Sequence, residues 1–179
     1  MSDPVAHEDE SLLLDLLNST PVVDGGQRDL LADDRGSRAW ARDRGGVGSA
    51  AEVAHLRQVR DRLQAVVRGV EAPEVLAPML DGVRLRPEIV QDGLSWRLDV
   101  ADDERSSARA LRAWGRVQES MPGRLRACAN EECRLFLLDR SKPNRARWCS
   151  MKVCGNRLKA RRHYERTRHA GSGAVVGDR

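Results

Sequence analysis

The segment from Cys128 to Arg168, CANEECRLFLLDRSKPNRARWCSMKVCGNRLKARRHYERTR, constrains this chain more than any other. It holds all four cysteines of the 179 residues as two CxxxxC pairs, Cys128 with Cys133 and Cys149 with Cys154, separated by fifteen residues. Two matched thiol pairs supply the four thiolates with which Zn2+ closes a tetrahedral shell and excludes water, so one structural Zn2+ on these four cysteines is expected. Two disulfides would need an oxidising compartment, and the N-terminal MSDPVAHEDESLLLDLL is acidic with short apolar runs, unlike an export signal. The CxxC spacing of redox dithiols is absent, and a lone catalytic thiol would not come as a quartet.

Between the pairs, Arg134 to Asp139 is apolar enough for a strand, Ser141-Lys142-Pro143-Asn144 reads as a turn, and Arg145 to Cys149 can return as a second strand. A hairpin joining the two pairs is therefore expected. Ser150 is placed to cap a helix over Lys152 to Arg168, whose only breaker is Gly155. Cys154 would then lie in the first turn, where the positive end of the helix dipole favours the thiolate. Knuckle, hairpin and ligand-bearing helix together make a treble-clef-like finger.

The run RWCSMKVCGNRLKARRHY, from Arg147 to Tyr164, with Cys128 and Cys133 upstream, resembles the CGNR zinc finger, named for Cys154-Gly155-Asn156-Arg157. The resemblance covers about forty residues. It implies a bacterial transcription regulator, in a group partly linked to stress, that carries the finger behind an N-terminal domain called ABATE, and hence DNA binding. Upstream, the order LLDLLNS, then DLL, then Trp40 is similar to the start of an ABATE domain, and no functional residue follows from that shorter likeness.

Charge is divided along the chain. Residues 124–169 hold 14 Lys or Arg against 4 Asp or Glu, whereas residues 1–123 hold 16 against 22. Four thiolates and one Zn2+ subtract two charges and leave the finger strongly positive. A basic module on an acidic partner domain suits a nucleic-acid binder with a sensing or dimerising domain, although a basic run can also be simply a solvated face. Arginine outnumbers lysine 28 to 3, a bias that a GC-rich genome would also produce, so placement informs more than abundance. No apolar run approaches the roughly eighteen residues of a membrane span, and a cytoplasmic protein is expected.

The overall expectation is an α+β chain: a mainly helical N-terminal domain with a β-hairpin over residues 1–123, the finger over 124–169, and a disordered tail over 170–179. Leu12 to Asn18 is ambiguous between strand and helix. Gln27 to Arg44 reads as helical with an interruption near Gly36. Ser49 to Val70 is the strongest helix, with Val53, Leu56, Leu63 and Val70 at helical spacing. The glycine-rich Arg44 to Ser49 lacks the GKS or GKT ending of a phosphate loop and reads as a connector. A short helix follows Pro73. Val83 to Val90 and Leu94 to Val100 alternate around Gln91-Asp92-Gly93, a hairpin signal. Asp102-Asp103-Glu104 suits the start of a helix over Arg105 to Ser120 better than acid–base chemistry, and His55 has no second ligand-type residue in pattern. Met121-Pro122-Gly123 closes the domain.

With zinc as scaffold, Leu158 is expected to pack on Phe136 or Trp148, and Asn156, Lys159, Arg162, His163 and Arg166 to share an outer face. These, with Arg157 and Arg161, are the candidate nucleic-acid contacts, mostly to phosphates. Arg157 could instead brace the hairpin against Asp139. Double-stranded DNA is the leading partner; RNA and a protein-interaction role are alternatives, and few exposed aromatics count against single-stranded targets. A small-molecule effector of the N-terminal domain and a homodimer are further possibilities. No nucleophile with a base, open metal position or cofactor loop supports an enzyme.

Overall fold

Leu12, Leu13, Leu16 and Leu17 recur as pairs four residues apart, which makes one stripe on a helix and two opposed faces on a strand. In the computed structural model, which describes residues 4–156 and 159, the helix wins. Helix α1 spans Pro4–Leu17, and all four leucines are buried. The stripe packs along α4 (Arg105–Ser120), whose inner face is built from Ala108, Ala110, Leu111, Ala113 and Val117. Small side chains at Ala110 and Ala113 leave room for the leucines opposite.

Helix α3 (Ala50–Val67) completes the bundle, with Val53, Leu56, Val59 and Leu63 turned inward and Ser49 capping the Glu52 N–H at 2.9 Å. Helix α2 (Asp34–Arg42) runs through Gly36 without a break. Asp33 accepts from the Gly36 N–H at 2.7 Å, and a Cβ at Gly36 would lie 2.5 Å from that carboxylate, so glycine belongs to the cap. A 3-10 helix, Pro73–Leu80, seats Leu76 in the core.

The connector between α2 and α3 has a packing role. Glu52 is fully buried, its carboxylate held by the Gly48 N–H at 2.6 Å and the Ser106 hydroxyl at 2.6 Å. One buried acid thus ties the glycine-rich loop to the start of α4. Two turns further along α3, Arg60 forms a two-pronged bond with Asp29 at 2.6 and 3.0 Å. His55 faces the Asp103 carbonyl at 3.2 Å, a fastening between α3 and the loop before α4.

Three antiparallel hairpins complete the described residues: β1 (Val22–Val23) with β2 (Gly26–Gln27), β3 (Arg84–Val90) with β4 (Gly93–Asp99), and β5 (Leu125–Ala127) with β6 (Phe136–Leu138). The last corrects the expected hairpin between the cysteine pairs. Phe136 to Leu138 pairs backward with Leu125 to Ala127, so the first cysteine pair caps the hairpin instead of preceding it, and residues 145–149 form no strand. The reason lies in Asp139. Its buried carboxylate takes the Ser141 N–H at 2.9 Å, the Ala146 N–H at 2.8 Å and the Arg126 guanidinium at 2.6 Å, closing residues 139–146 as a loop rather than a ladder. Leu125 and Phe136 enter the same core as the helices, so the hairpin is seated directly on the bundle.

Candidate metal centre

The four cysteines come from three local structures. Cys128 follows β5 and Cys133 precedes β6, the two ends of the loop that caps their hairpin. Cys149 ends the 139–149 loop, and Cys154 lies in the helical turn Met151–Gly155. Backbone bonds hold the pieces together: Cys128 N–H to Leu135 at 2.8 Å, Ala129 N–H to Arg147 at 2.8 Å, and Cys133 N–H to Asn130 at 2.8 Å. Ser150 stands at the N-cap position as expected, yet its side chain makes no capping bond; the Gly155 N–H reaches its carbonyl at 3.0 Å, a wider turn than an α-helix makes.

The Sγ atoms all lie within 4.8 Å of one another. Cys133 to Cys149 and Cys149 to Cys154 are each 3.7 Å apart. A Zn–S bond of about 2.3 Å places tetrahedral sulfurs roughly 3.8 Å apart, and a disulfide would bring them to about 2.0 Å. All four thiols are free. The donor set therefore fits a single Zn2+ and excludes the disulfide alternative.

Electrostatics point the same way. Burial pushes the Cys133 thiol up to about 11, and burial together with the Cys154 and Cys133 thiols pushes Cys149 up as well. Cys154 is lowered, because hydrogen bonds from Asn130 and the surrounding thiols outweigh its burial. Thiols so crowded cannot all ionise without a cation among them, and a dication supplies that charge.

A family model for the CGNR zinc finger matches residues 124–167. A second, ABATE, described as "Putative stress-induced transcription regulator", matches residues 10–131, more than half of the chain. The chain belongs to the ABATE family. No curated protein matches it. The ABATE match extends into the first cysteine pair and the finger match begins at Arg124, so the two overlap across β5, the strand that the core shares with the finger.

In this ABATE protein the metal centre has a partner that spacing arguments overlook. Asn130, within CANEEC, is buried and donates Nδ2–H to Cys154 Sγ at 3.6 Å; the Cys149 N–H meets Cys128 Sγ at 3.4 Å. Such donors orient thiolates and offset their charge. The signal for Asn130 was only a side-chain amide between two ligands. Gly155 of the CGNR tetrapeptide sits against Met151 and Trp148: a Cβ would meet Met151 Sδ at 2.7 Å and Trp148 Cδ1 at 3.2 Å.

Of the candidate nucleic-acid contacts, Asn156 and Lys159 are exposed just beyond Cys154. Arg157, Arg161, Arg162, His163 and Arg166 lie outside the described residues, as do Leu158, most of the expected helix to Arg168, and the 170–179 tail. Arg126 braces Asp139, and the contact considered for Arg157 lies outside the described residues. Phe136 is buried in the bundle under the Arg68 guanidinium, 4.4 Å from its ring centroid, and the expected packing of Leu158 on Phe136 or Trp148 falls outside the described residues. Among the described residues no helix is long and apolar enough to cross a membrane.

Proposed function

We propose that this chain is a zinc-dependent DNA-binding regulator of bacterial transcription, with the CGNR finger as its contact surface and the ABATE bundle as the domain that senses or dimerises. The observation that carries this reading is the placement of a four-sulfur cluster at the root of the most basic segment of the chain, with Asn156 and Lys159 exposed beyond it. Zinc is a scaffold here. When bound it supplies folding energy, on the order of 10 kcal/mol for small structural sites, and four cysteines leave it no open position, which supports a binding role over catalysis. Asn156 and Arg157 can pair base edges, while Lys159, Arg161, Arg162, His163 and Arg166 serve mainly as phosphate contacts.

The test is selection of bound duplexes from a random pool with zinc-loaded protein, followed by affinity measurement at two salt concentrations. Enrichment of one motif, with an affinity that falls steeply as salt rises and weakens when Lys159 and Arg162 become Ala, is the expected result. Tighter binding to RNA of matched length would move the reading to RNA, and binding to neither would leave a protein-interaction module.

A further inference from the structure

The β3–β4 hairpin stands apart from the rest of the fold in how it distributes its side chains. Register places Leu85 opposite Leu98, Pro87 opposite Trp96 and Ile89 opposite Leu94, so all six residues of one face are apolar. The other face carries Arg84, Arg86, Glu88, Ser95, Arg97 and Asp99, with Val90 and Gly93 at the turn, and has ion pairs from Arg97 to Glu88 at 2.6 Å and from Arg86 to Asp99 at 3.6 Å. An amphipathic two-stranded ribbon normally buries its apolar face, since a lone hairpin is marginal in water. This one does not. Only Leu98 is buried, at the base, where its carbonyl accepts from Arg105 Nη1 at 3.3 Å.

Leu85, Ile89, Leu94 and Trp96 are 47%, 85%, 61% and 48% exposed. Scaling from roughly 180 Å2 for a free aliphatic side chain and 250 Å2 for tryptophan, about 450 Å2 of apolar surface stays open on one small ribbon. That is as large as the largest patch of a typical monomer, and such patches mark interaction sites.

We infer that this face is the self-association surface of the protein and that its occupant is the same face of a second copy. The apolar face holds no charged side chain, and of the charges behind it Glu88, Arg97, Arg86 and Asp99 are paired within the hairpin, so its complement must itself be uncharged. A two-fold axis meets that condition by bringing the patch onto itself. Area agrees: packing two copies face to face removes about 900 Å2 from these four residues alone, and the rim brings the total toward the roughly 1,200 Å2 at which specific interfaces begin.

Register also selects the geometry. With Val90 and Gly93 closing a two-residue turn, the bonded pairs are Val90 with Gly93, Glu88 with Ser95 and Arg86 with Arg97. Leu85, Pro87 and Ile89 then turn their backbone outward. Pro87 has no N–H to offer there, which blocks strand addition along β3, and edge pairing would in any case leave the apolar face wet. Face-on packing is the arrangement that covers it.

The experiment is light-scattering mass across a dilution series of the full-length, zinc-loaded protein, without DNA, so that it stands independently of the nucleic-acid reading. The wild type is expected to show the mass of a dimer at concentrations on the order of 100 µM and to dissociate on dilution. Ile89→Asp with Leu94→Asp is expected to stay monomeric at every concentration with unchanged helical circular dichroism. Glu88→Gln, on the opposite face, should dimerise as the wild type does. A monomeric wild type throughout the series overturns the inference and gives the face another occupant; a dimer that persists in the double variant overturns it by placing the interface elsewhere.

Discussion

The side chain of Asn18 completes the backbone of Phe136. Its Oδ1 accepts the Phe136 N–H at 2.7 Å and its Nδ2 donates to the Phe136 carbonyl at 3.3 Å, so one amide at the end of α1 stands in for a strand beside β6. Arg68, which caps α3, reaches the Arg134 carbonyl at 2.6 Å while covering the Phe136 ring. Arg140 pairs with Glu10 of α1. Three contacts from two helices thus fix the strand that follows Cys133, and the metal centre is anchored to the bundle.

Replacing Asn18 with Leu leaves two backbone groups of Phe136 without their partner while keeping the side-chain volume. A loss of about 1–3 kcal/mol is expected, the range for unmet buried polar groups. The informative readout is the rate at which a chelator removes zinc: coupling between α1 and the finger predicts faster release at temperatures where the bundle is still fully helical. Equal rates would show that the anchor does not reach the metal.

Cys149→Ser should abolish stoichiometric zinc binding, because it removes a sulfur that lies 3.7 Å from two others. With Leu125 and Phe136 in the common core, the β5–β6 hairpin should stay docked without metal, and the damage should concentrate in 128–133 and 147–155. Hydrogen exchange resolves this: fast exchange in those two segments with α1 still protected. Asn130→Ala, which removes the donor to Cys154, should keep zinc but weaken it by 10–100-fold, the usual effect of a partner behind a metal ligand. Full zinc retention by Cys149→Ser would refute the ligand set.

Much of this was legible because cysteine spacing and leucine periodicity are local signals. The quartet, the α3 and α4 helices and the β3–β4 turn each follow from residues a few positions apart. What escaped were decisions made at long range. Phe136 pairs with Ala127 instead of its downstream neighbours because Asp139 satisfies the loop amides that a second strand would have used. The connector glycines could be separated from a phosphate loop, but their partner, Glu52, shows only when Ser106 of α4 arrives beside it. Asn18 and Asn130 carry no pattern at all; an amide gains meaning from the group it meets.

Two glycines should respond to alanine with opposite signs. A Cβ at Gly46 would collide with the Glu52 carboxylate, whose buried, twice-bonded position gives it nowhere to move, so Gly46→Ala should cost about 1–3 kcal/mol. Gly115 lies within α4 with nothing near its missing Cβ. Gly115→Ala should therefore stabilise by about 0.5–1 kcal/mol through helix propensity. Urea midpoints at constant slope measure both, and a stabilised Gly46→Ala would mean that Glu52 is free to rotate.

Acid should attack the loop that carries Cys149 through Asp139. Hydrogen bonds from Ser141, then from Ala146, and the charge of Arg126 hold this carboxyl down to about 2 against an ordinary value of 3.8, overcoming its burial. Asp29 is lowered too, since Arg60 and the Leu31 N–H outweigh its burial. A group depressed on folding contributes stability that is complete above its unfolded value and disappears as pH falls toward the folded one. The loss assigned to Asp139 therefore runs from about pH 4 down to about 2, below the range in which thiolate ligands are themselves protonated off zinc. Metal-free protein isolates the effect: its melting temperature should fall steadily across that window, and Asp139→Asn should start lower at neutral pH and show a shallower fall. An identical slope in the variant would assign the acid sensitivity to other carboxylates, Asp29 first among them.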